Sequence, residues 1–99
     1  MQDPFYSVYW DGDVEEELSK IVDRAADWTR EERILLNQAH REIYERLRLH
    51  PETGTLLSED PAHKPDYRVM EQWPLRVRYA HDAGSIVRVL QFEEMAPPI

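Results

Sequence analysis

The stretch WPLRVRYAHDAGSIVRVLQF, residues 73–92, decides the fold. In its first half Leu75, Val77 and Tyr79 alternate with Arg76 and Arg78. A period of two sends successive side chains to opposite faces of a strand, so the apolar set points to a core and both arginines point away from it. Asp82-Ala83-Gly84-Ser85 has the composition of a hairpin turn. Ile86 to Phe92 is nearly continuous in apolar residues, as expected of a strand covered on one face and partly on the other.

Upstream, DYRVMEQW, residues 66–73, places Tyr67, Val69 and Trp73 on one face and Arg68, Met70 and Gln72 on the other, until Pro74 interrupts. These segments make a three-strand meander. At the other end of the chain FYSVYW, residues 5–10, reads as a further strand, with Tyr6, Val8 and Trp10 on one side. Asp11-Gly12-Asp13 ends it, and Asp13 with Glu16 has the spacing of a helix capping box. Val14, Leu18, Ile21, Val22 and Ala25 then follow helical spacing, predicting a helix from Val14 to Asp27. Thr29 and Glu32 form a second capping-box pattern behind Trp28. Ile34, Leu35, Ala39, Ile43 and Leu47 predict a long helix to Leu49, ended by Pro51. With almost no linker the two helices fold back as a hairpin. Residues 51–65 hold three prolines and one glycine without a period, a loop of a length that is often functional. The acidic, proline-ended tail EEMAPPI reads as frayed.

The expected fold is therefore α+β, in the order β-α-α-β-β-β, with a helical hairpin packed on one face of a mainly antiparallel four-stranded sheet. At 99 residues the chain, 1–99, is expected to form a single domain. It has no cysteine, so thiolate chemistry and disulfides are excluded. No apolar run approaches the ~20 residues of a membrane span, and the N-terminus lacks the pattern of a secretory signal, so a cytoplasmic protein without a membrane role is expected. Residues 1–60 carry 15 acids and 7 bases, and residues 61–99 carry 5 of each, so the whole net charge of −8 lies in the first part. Such a chain repels nucleic acid at long range unless the neutral part presents a local basic surface.

The element order, the turn LHPETG at residues 49–54, and above all LRVRY at 75–79 resemble the RelE/ParE superfamily of bacterial toxin–antitoxin toxins. The likeness runs from about Tyr6 to Phe92. It implies a cognate antitoxin as partner, no cofactor, and one of two activities. RelE-like members cut messenger RNA at the ribosome without a metal, by activating a ribose 2′-hydroxyl, whereas ParE-like members inhibit DNA gyrase. By this resemblance Arg76 would steady the scissile phosphate and Arg68 would assist from the preceding strand, while Tyr79 matches a strand tyrosine that alternation turns into the core. A guanidinium suits the phosphate role because it is always charged and binds two oxygens at once.

The residues themselves leave alternatives open. Arg76 and Arg78 are either phosphate ligands or solvated charges paired with acids across the sheet. Arg78, Lys64, Arg88 and His63 are candidate substrate contacts, and His81 and His63 are the acid–base candidates by position. No pair among the four histidines has the i, i+4 spacing of a metal site, so no metal is expected. Glu93 and Glu94 stand where RNA-cleaving members carry a basic or histidine-bearing segment. A cationic face holding Arg68, Arg76 and a histidine would support cleavage. A face neutralised by Glu71, Glu93 or Glu94 would support binding only.

Overall fold

The computed structural model describes residues 5–57, 65–82 and 85–95. Its elements are β1 (Ser7–Tyr9), α1 (Gly12–Arg24), a 3-10 turn (Ala25–Asp27), α2 (Arg30–Leu49), a second 3-10 turn (Pro51–Thr53), β2 (Thr55–Leu56), β3 (Asp66–Gln72), β4 (Leu75–His81) and β5 (Ile86–Glu94). Among the described residues the sheet has five strands in the order β1-β5-β4-β3-β2. This corrects the expected four: the two-residue β2, inside the stretch read as loop, pairs antiparallel with β3 and forms one edge. β3, β4 and β5 are the antiparallel meander, and β1 joins β5 in parallel. A strand of two residues is too short to show any period, so the sequence could not announce it.

Local chemistry explains where the helices start. Asp11, not Asp13, caps α1, its carboxylate accepting from the Val14 amide at 3.3 Å. With the cap at Asp11 the third helical residue is Val14, so Glu16 cannot complete the expected box. The last turn of the predicted helix tightens into the 3-10 turn Ala25–Asp27. At α2 the expected box is present in full: the Glu32 amide donates to the Thr29 hydroxyl at 3.2 Å, and the Thr29 amide to the Glu32 carboxylate at 2.9 Å. Hydrogen bonding to its carboxyl, first from the Thr29 amide and then from the Thr29 side chain, holds Glu32 below the usual carboxylate range.

The buried stripe of α2 is Leu36, Ala39, Ile43 and Leu47, spaced three, four and four residues apart. Ile34 and Leu35 were expected in it but are exposed. At 100° per residue they lie far around the helix from a stripe centred on Leu36. Val22 of α1 is likewise outside, whereas Val14, Ile21 and Ala25 are buried. These helix residues form one cluster with Met70, Leu75, Val77, Tyr79, Val87, Val89 and Phe92 of the sheet. α1 lies along β5, and α2 lies across β1, β3 and β4, so both cover the same face.

The loop before β2 is anchored by a buried tyrosine. Tyr79 is fully buried, and its hydroxyl donates to the Pro51 carbonyl. Burial pushes its phenol up to about 12, with Arg68 pulling the other way. A side-chain methyl at Gly54 would come within 2.1 Å of that hydroxyl oxygen and 2.9 Å of the ring, so only glycine lets the chain pass here.

Candidate functional site

Strand alternation and register together build the outer face of the sheet. The inner partners are Met70 with Val77, Val77 with Phe92 and Tyr79 with Val89. The residues between them face outward, and they place Glu71, Arg76 and Glu93 side by side across β3, β4 and β5. In the next position Val69, Arg78 and Gln91 are partners. Arg76 and Arg78 thus share the outer face, as their alternation predicts.

Both arginines are occupied by carboxylates. Arg76 Nε donates to Glu71 Oε1 at 3.1 Å, and its Nη1 lies 3.5 Å from Glu93 Oε2. The other oxygen of Glu93 lies 3.3 Å from Arg78 Nε. Glu93 therefore bridges two guanidinium groups while Glu71 holds the first from the other side. Two cations and two anions leave this patch without net charge. Glu94 belongs elsewhere: it pairs with Arg24 of α1 at 3.3 Å.

Arg68 is not in this patch. It lies opposite Tyr79 on the helix-covered side and is largely buried. Its Nη1 donates to the carbonyls of Glu52 and Gly54 at 3.0 and 2.9 Å, and its Nη2 to the buried Asp66 at 3.3 Å. The two carbonyl contacts tie the loop before β2 to β3, and the contact with Asp66 lies within β3. The structure thus places Arg68 on the side of the sheet opposite Arg76. The cause is the two-residue turn Trp73-Pro74, which pairs Gln72 with Leu75. Since Leu75 points inward, every second residue back along β3 does too, and Arg68 is among them.

His81 is also on the inner side. It is 9% exposed, stands across from Asp66 and Val87, and meets the Tyr6 ring edge-on at 5.2 Å between centroids. His81 and Arg76 therefore lie on opposite sides of the sheet. Arg88 does lie on the outer face, beside Tyr9 and Ala80, where Asp82 holds it at 3.2 Å. Lys64 and His63, the remaining substrate-contact candidates, lie outside the described residues. Among the described residues no group of three or more His, Asp or Glu could hold a metal ion, and no helix is long and apolar enough to cross a membrane.

The structure also shows a feature that sequence reading missed, a groove between α1 and β5. Its residues on α1, Val14, Glu17, Ile21 and Arg24, share one helix face, but only the position of β1 reveals that the adjoining strand edge is open.

No protein-family model matches the sequence, and no curated protein matches it. Among solved structures the chain is similar to one described as the chromosomal ParDE toxin–antitoxin system from P. aeruginosa, with a TM-score of 0.62 and 18% identity. The match covers 95% of this chain and 100% of the other. The fold is therefore of the ParDE-like α+β type, as the resemblance in LRVRY and the element order implies.

Proposed function

We propose that this chain is the toxin component of a type II toxin–antitoxin module, and that it acts by binding a protein target rather than by cutting messenger RNA. The shared fold supports the first half of this reading. The carboxylate cover on Arg76 and Arg78 carries the second half. Phosphodiester cleavage gathers negative charge on the phosphoryl oxygens, and a catalytic site must present positive groups where that charge develops. Glu71 and Glu93 lie 3.1–3.5 Å from the arginines that would do this, so they compete with phosphate and oppose the charge. Arg68 and His81, the groups that would complete the chemistry, serve the opposite side of the sheet.

On this reading the target is a protein such as DNA gyrase, as the ParE-like branch implies, and a cognate antitoxin restrains the chain in the cytoplasm. The test is induction in a bacterial host, beside Arg76→Ala, with growth, transcript integrity and plasmid supercoiling followed together. Growth arrest with intact transcripts and relaxed plasmid is expected. Transcript cleavage that disappears in Arg76→Ala would replace this reading with the nuclease one. Normal growth with folded protein would remove the toxin role itself.

A further inference from the structure

β1 stops at Tyr9, opposite Arg88, whereas β5 continues to Glu94. From Val89 onward, among the described residues, no strand pairs with β5 on the side away from β4. α1 leaves from the end of β1 and runs alongside that edge. Val14, Glu17, Ile21 and Arg24 are spaced three, four and three residues apart and so form one face of α1. Two openings lie in series between this face and β5. The first, about 570 Å³, is bounded by Tyr9, Asp11, Val14, Ile86 and Leu90. The second, about 460 Å³, is bounded by Glu17, Lys20, Arg24, Gln91, Glu93 and Glu94.

We propose that this groove binds an extended, lysine- or arginine-bearing peptide segment of a partner protein, which adds to the open edge of β5. The inference deepens the toxin–antitoxin reading and rests on it for the partner's role, while groove, edge and charge stand on the structure. An open strand edge offers backbone donors and acceptors that give affinity, and alternate side chains of the added strand give specificity. The edge from Leu90 to Glu94 is five residues, about 17 Å at the rise of a strand, enough for a short segment. Tyr9, Ile86 and Leu90 are large apolar side chains between 40% and 58% exposed at the first opening, where they suit an apolar residue of the segment.

Charge selects the sign of the partner. α1 carries Asp13, Glu15, Glu16, Glu17 and Asp23 against only Lys20 and Arg24. Both cations are engaged, Lys20 with Glu16 at 3.9 Å and Arg24 with Glu94 at 3.3 Å. Glu17, half-buried on the groove face, makes no ion pair among the described residues. An incoming carboxylate would be repelled here, and an incoming ammonium or guanidinium would complete the pairing.

The test uses the full chain and a fluorescent eight-residue peptide alternating lysine with leucine and valine. Two controls accompany it: the same peptide with glutamate for lysine, and one that keeps its lysines but carries proline at the two central positions. Anisotropy is expected to show the first peptide binding at least about tenfold tighter than either control. Glu17→Lys should weaken it about fivefold or more, and Glu17→Gln less. Hydrogen exchange should slow at amides within Val89–Glu94. Equal binding of the proline peptide, unchanged binding by a folded Glu17→Lys, no slowed amides in β5, or no binding at all would each overturn the proposal. A growth assay without arrest would remove the toxin reading yet leave these binding results intact.

Discussion

Replacing both carboxylates on the arginine pair, Glu71→Gln with Glu93→Gln, should convert the outer face into an RNA-binding surface. The three contacts at 3.1, 3.5 and 3.3 Å disappear together, and the formal net charge moves from −8 to −6. These pairs are partly exposed, so their loss should cost no more than about 1–2 kcal/mol of stability in total. The larger effect is on ligand binding. Two freed guanidinium groups can each neutralise one phosphate, and each contact on a single strand contributes about −0.7 to the slope of log affinity against log salt. The double variant should therefore show a slope near −1.4, which is roughly a sevenfold loss of affinity between 50 and 200 mM salt. The unaltered chain should show almost no such slope. Anisotropy of a labelled, unstructured RNA at four salt concentrations measures this, with Arg76→Ala/Arg78→Ala in the double-variant background as control. Tight, salt-dependent binding by the unaltered chain would refute the reasoning, because the carboxylates would then not be masking the arginines. So would a double variant that folds but gains nothing.

Three further outcomes follow from the core side of the sheet. Arg68→Ala removes donors from two carbonyls and a counter-charge from buried Asp66, so chemical denaturation should show a loss on the order of 3 kcal/mol; an unchanged midpoint would contradict its anchoring role. Gly54→Ala forces a methyl into the Tyr79 hydroxyl and should lower stability by about 1–3 kcal/mol, a loss that Gly54→Ala/Tyr79→Phe partly relieves. Tyr79→Phe leaves the Pro51 carbonyl without its donor and should cost about 1 kcal/mol near neutrality. It should also flatten the alkaline limb. With the folded phenol at about 12 against an ordinary 10.0, the unfolded chain loses this proton first, so its contribution is complete below pH 10 and is lost as pH rises toward 12. That loss is on the order of 2 kcal/mol, and melting curves between pH 8 and 11.5 should show the phenylalanine variant declining less.

Much of the fold was legible because it rests on local signals. The Thr29–Glu32 box names the start of α2 by side-chain and backbone geometry within four residues. Alternation in LRVRY placed Tyr79 in the core and Arg76 and Arg78 outside it, and each is found there. Sequence reading put the first cap at Asp13, whereas the helix begins at Gly12 and Asp11 caps it, leaving Asp13 inside the first turn. Alternation along β3 gives two faces without saying which is inward, so it left open the side that Arg68 takes. The two-residue turn at Trp73-Pro74 contained that information, since loop length fixes register and register fixes the face.

By itself, then, the sequence determined the order of the elements, the two helix starts to within a turn, the apolar face of β4 and the outward arginines. Each depends on residues a few positions apart, whose relation is set by the periods of helix and strand. The tertiary structure alone decided what those arginines can do. Glu71, Arg76 and Glu93 lie five and seventeen positions apart and come into line only through the pairing of three strands. Among the described residues, the open edge of β5 likewise exists only because β1 ends at the level of Arg88, six residues before its neighbour does. Charges that look independent along the chain become a neutral patch when register brings them within 3.5 Å, since Coulomb attraction depends on distance in space and not on separation in sequence.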